Sequence, residues 1–93
     1  MDYDGMLLVV GRERSLDILD LLAQEGTLNY SEIEAGVDTS SEVIDRYLKL
    51  QTGYGLIDRE ERSSRDVRYS ITGRGEEVLE RVAEIERLLK STD

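Results

Sequence analysis

Residues 39–72 read TSSEVIDRYLKLQTGYGLIDREERSSRDVRYSIT. Thr39 and Glu42 have the spacing of a capping box, with Asp38 as a second cap candidate. Val43, Ile44, Tyr47 and Leu48 then recur at helical spacing, which predicts a helix over about 40–52 with Ser41, Glu42, Asp45, Arg46, Lys49 and Thr52 nearer to solvent. Gly53 stops it. Leu56–Glu61 and Asp66–Ile71 follow as two strands around Arg62-Ser63-Ser64-Arg65, a hairpin spanning 56–71. In the second strand Val67, Tyr69 and Ile71 alternate with Arg68 and Ser70, the period of a strand with one buried face. Thr72 caps a last helix over 73–90, roughly 27 Å long at 1.5 Å per residue. Glu76, Glu77 and Glu80 sit near its positive end and Arg87 and Lys90 near its negative end.

Upstream, Leu16, Ile18, Leu19 and Leu22 mark an amphipathic helix over about 11–24, ended by Glu25-Gly26. Thr27-Leu28 suits a stub strand, and Ser31 caps a short helix over about 31–35 with Ile33 inward. Met6–Val10 reads as a short strand or a hydrophobic arm, to be covered by the last helix of the same or a partner subunit. Residues 1–5 are expected to be loose. The pattern is α+β and mostly helical, with a two- to three-stranded antiparallel sheet and a long C-terminal helix.

Ninety-three residues make one domain, 1–93, with a core built from Leu, Ile and Val. Cysteine and histidine are absent, which excludes disulfides, thiolate or imidazole metal sites and thiol or histidine catalysis. With no phosphate loop or cation loop in view, the expectation is no catalytic residue, no metal and no cofactor. No apolar run approaches the ~18 residues of a membrane span, and the acidic flank of Met6–Val10 is unlike a signal peptide. A soluble, cytoplasmic protein is expected.

Net charge is −9, but unevenly laid out. Residues 1–40 carry −7, residues 41–71 carry 0 with half of all the basic groups, and residues 72–93 carry −2. Arg outnumbers Lys by 10 to 2. Much acid and little Lys resembles proteins of halophilic archaea; the plain alternative is an acidic protein that avoids nucleic acid.

Leu48, Tyr54-Gly55-Leu56-Ile57, Arg59 and Tyr69-Ser70-Ile71-Thr72 with Gly75 resemble the L…GLI.R…Y.LT..G signature of winged helix-turn-helix transcription regulators of the MarR, HxlR and PadR-like kind. Asn29-Tyr30-Ser31-Glu32-Ile33 is similar to the start of their second helix. The likeness spans about residues 15–80. Three departures stand out: Gln51 where such proteins bury Leu, Leu50 where they carry a charge, and a longer link after Gly36. The cysteine of many HxlR-type sensors is missing, so no thiol switch is expected.

The resemblance implies a homodimer binding double-stranded DNA as a transcriptional regulator, most simply a repressor. Arg46 and Lys49 would face the major groove, Ser41 a phosphate, and Asp45 would adjust base preference. Arg62, Ser63, Ser64, Arg65 and Arg68 would hold the backbone or minor groove. Val78, Val82, Ile85, Leu88 and Leu89 would form the dimer seam, setting two reading helices about 34 Å apart. Each has a plainer counterpart: a solvated helix face, a soluble turn pairing its arginines with Glu60, Glu61 and Asp66, and packing on Leu16–Leu22 within the monomer. The competing class is a winged helix for protein contact, with its acidic half docking a basic partner.

Overall fold

The computed structural model describes residues 3–91. Its first element corrects the expectation of a strand or arm: Asp4–Val10 is a helix, α1. Helical geometry lets this stretch satisfy its own backbone, with the Leu7 N–H donating to the Tyr3 carbonyl at 2.8 Å and the Gly11 N–H to Leu7 at 3.0 Å. A strand there would need a sheet edge to pair with. Asp4 and Gly5 belong to α1 and so are not loose; residues 1–2 of the expected loose segment lie outside the described residues.

Helix α2 (Glu13–Glu25) runs through the core, with Ile18, Leu19 and Leu22 fully buried. Strand β1 is only Leu28–Asn29. Helix α3 (Tyr30–Gly36) is capped by Asn29, not by Ser31. Asn29 Oδ1 accepts from the Glu32 N–H and Glu32 Oε1 accepts from the Asn29 N–H, both at 2.9 Å. Asn29 ends β1 in extended geometry, which already suits an N-cap, so the helix starts before Ser31.

Helix α4 (Ser41–Gly53), by contrast, is capped one residue later than the Thr39 spacing suggests. Ser40 Oγ accepts from the Val43 N–H at 3.4 Å, while the Thr39 N–H is held by the Val37 carbonyl at 3.0 Å. The chain is therefore still turning at Thr39, and no Thr39–Glu42 box forms among the described residues. Ile44, Tyr47, Leu48 and Gln51 make the buried side of α4. Gln51 fits there because its Nε2 donates to the Ser15 carbonyl at 2.8 Å and to Ser15 Oγ at 2.7 Å, tying α4 to α2.

Strands β2 (Ile57–Ser63) and β3 (Asp66–Ile71) form the hairpin, and α5 (Gly73–Lys90) closes the chain. The sheet is antiparallel in the order β1-β3-β2. Ile57 faces Ile71, Arg59 faces Tyr69, and Tyr69 in turn faces Leu28, so these residues share the sheet side that meets the helices. Thr72 fastens α5 to the end of α4: its Oγ1 accepts from the Gly75 N–H at 3.1 Å and donates to the Gly55 carbonyl at 2.6 Å. Gly75 is buried so closely that a Cβ would strike the Leu56 carbonyl oxygen and the Ile71 side chain.

Candidate nucleic-acid interface

The buried stripe of α4 leaves Glu42, Asp45, Arg46 and Lys49 exposed on the opposite side. Arg46 and Lys49 are three residues apart, so their side chains emerge side by side. Neither has an ion pair among the described residues. The start of α4 differs. Ser41 Oγ donates to Glu34 Oε2 at 3.1 Å, and the Ser41 carbonyl accepts from the Tyr30 hydroxyl at 3.1 Å. Burial, then Asp45 and Glu34, push the Tyr30 phenol above its ordinary pKa, so it stays a neutral donor. The first turn is thus acidic and the last two turns are basic.

The wing turns at Ser64-Arg65 with Ser63 opposite Asp66. No described non-glycine residue has positive φ, so this turn is not one of the mirror-image types that match strand twist. A register shift between Glu61 and Ser63 absorbs the mismatch at Arg62. Ser63 Oγ accepts from the Arg65 N–H at 3.3 Å, which shapes the tip.

The wing cations fall into two groups. The exposed Arg65 side chain stands at the tip with no ion pair among the described residues. Arg62 pairs with Glu60 at 3.4 Å, but both are about half exposed or more, so the pair adds little and opens readily. Arg68 is held harder, by Asp66 at 2.7 Å and Glu32 at 3.9 Å, and bridges the wing to α3. Its charge is largely spent within the molecule.

Arg59 was not singled out as a site residue by sequence. It projects from the helix side of β2 and shares a shallow hollow with Asp45, Lys49 and Thr52. Its place after Gly55-Leu56-Ile57, in phase with the inward Ile57, was the available signal.

The expected seam residues lie along one line of α5. Val78 and Val82 are half buried beside Met6 and Val10 of α1, in a groove that continues to Ile85. Beyond it Leu88 and Leu89 are 73% and 72% exposed. Among the described residues no cluster of acidic groups suits a metal ion, and no helix is long and apolar enough to cross a membrane.

Three solved structures share this architecture. A MarR-family transcriptional regulator from Enterococcus faecalis superposes with a TM-score of 0.78 at 22% identity, over 91% of this chain and 79% of that one. The transcriptional regulator YtfH from Salmonella typhimurium gives 0.75 at 24% identity, over 91% and 78%. A MarR-family regulator from Porphyromonas gingivalis gives 0.71 at 22% identity, over 99% and 97%. These likenesses concern the fold. No curated protein is matched. The winged helix-turn-helix family model matches residues 12–90, from the start of α2 to the end of α5. The chain belongs to the winged helix-turn-helix family.

Proposed function

We propose that the protein is a homodimeric transcriptional regulator that binds duplex DNA sequence-specifically and represses by occupying promoter DNA. One observation carries the reading: in a chain of net charge −9, Arg46 and Lys49 on α4 and Arg65 at the wing tip stand exposed with no ion pair among the described residues. Family membership gives those positions a use. In this reading Arg46 and Lys49 meet base edges, where Arg makes two hydrogen bonds to guanine. Asp45 accepts from a cytosine amino group, and Ser41 contributes once it leaves Glu34. Arg65, with Ser63, Ser64 and the readily freed Arg62, holds the backbone, while Arg68 chiefly braces the wing. Val78, Val82, Ile85, Leu88 and Leu89 form the seam between two copies, joined by Met6 and Val10. The protein then works in the cytoplasm, and its acid surface and preference for Arg over Lys reflect adaptation to concentrated salt.

Retention of the purified protein on duplex DNA, from its own upstream region and of random sequence, tests this from low to multimolar KCl. Preferential retention of the upstream duplex is expected. The second reading, a protein-contact module, is favoured by the carboxylates at the α3–α4 corner, where Glu34 and Asp45 both act on Tyr30 and Glu42 is exposed on the first turn of α4. Absence of retention on any duplex at any salt removes the first reading and leaves the second.

A further inference from the structure

Two hollows flank the exposed side of α4. On the sheet side, Lys49 and Arg59 of β2 line one hollow together with the carboxylate of Asp45. On the opposite side, Arg46 and Lys49 face Arg12, in the link between α1 and α2, over a floor of Leu8, Tyr47 and Leu50. Arg12 is exposed and has no ion pair among the described residues. Arg59 pairs with Glu61 only at 3.8 Å, and both are about half exposed, so that contact is weak. Arg12, Arg46, Lys49 and Arg59 therefore form a band that crosses the last two turns of α4 instead of following its axis.

A helix lying in a major groove has a sugar-phosphate ridge on each flank, since the groove is about 12 Å wide. A cationic band crossing the helix suits that arrangement: cations on its middle for the bases and one on either side for the ridges. The acidic first turn, by contrast, repels phosphate. We propose that Arg12 and Arg59 are phosphate contacts, one to each strand bordering the groove, and that the duplex is seated over the C-terminal half of α4. This rests on the DNA-binding reading above and adds a register to it, in which Ser41 lies off the duplex.

The test uses the full chain with R12A, R59A, R12K and R59K variants, titrated with the upstream duplex and a random duplex over a KCl series. Arg12 makes no side-chain cap bond to α2, so its removal leaves the helix start unchanged. Each alanine variant is expected to weaken both duplexes alike, roughly tenfold at fixed salt, and to lower the slope of log K against log salt by about 0.9. The lysine variants, which keep the charge, retain the slope, whereas a purely structural role for the arginine stem predicts alanine variants that bind more weakly at an unchanged slope. A wild type that binds while R12A and R59A keep its slope overturns the assignment. So does a loss confined to the upstream duplex, because that is base reading. A wild type that binds neither duplex instead removes the DNA-binding reading itself.

Discussion

Ser15 and Gln51 form a fully buried polar contact between α2 and α4, and Gln51 Oε1 has no partner among the described residues. An apolar pair of similar volume would avoid that orphaned oxygen. The double variant Ser15→Ala/Gln51→Leu is expected to be at least as stable as the wild type in urea unfolding. Gln51→Ala alone should cost about 2 kcal/mol, through the cavity and the lost hydrogen bonds. If the double variant proves the less stable, the polar contact contributes more than packing would. Gly75→Ala should cost more than about 1 kcal/mol by the same measurement, because overpacking forces the Leu56 backbone to move. Thr72 and Gly75 were legible in the sequence, since a cap residue followed by glycine stands alone there. The cap of α4 was not. Asp38, Thr39, Ser40 and Ser41 are four consecutive cap formers, and only the backbone turn after Val37 selects among them.

At the level of elements, the proposed DNA-binding reading gives α4 and the wing separable contributions. Arg46→Ala is expected to weaken binding by about 1–3 kcal/mol and to relax sequence preference, whereas Arg65→Ala should weaken specific and random duplex equally. Competition binding on the two duplexes distinguishes them, and equal losses for both variants would remove the assigned roles. The hairpin, α2 and α5 were readable because caps and turns bound them, although β3 is half-buried along its whole length where alternation was expected. Helix α1 was not readable, as five adjacent apolar residues carry no period. As a helix it closes its backbone bonds within itself, and no strand of the sheet pairs with it. The band across α4 was hidden for a related reason. Arg12 and Arg59 are remote in sequence from Arg46 and each other, and only tertiary packing sets one on each flank of α4.

The whole molecule is elongated, with extents of 53 × 27 × 26 Å and a radius of gyration of 13.8 Å. A chain of this length packed evenly would give about 12 Å. The end of α5 carries Ile85, Leu88 and Leu89 largely exposed, while α1 shows Met6, Leu7 and Leu8 at 49%, 52% and 41% exposure. Leaving so much apolar surface in water is unfavourable by roughly 25 cal/mol per Å². Sedimentation should therefore find a dimer, and Leu88→Glu/Leu89→Glu should give a monomer with a lower, concentration-independent melting temperature. A wild type that sediments as a monomer at high concentration would remove the seam. Tyr54 adds a practical consequence. The chain has no tryptophan, and the Tyr54 phenol lies over Gly5 at the mouth of the α1–α5 groove, 46% exposed. Should the expected dimer form there, its ultraviolet emission, with Tyr54→Phe as the blank, becomes an intrinsic, dye-free optical gauge of two copies separating on dilution.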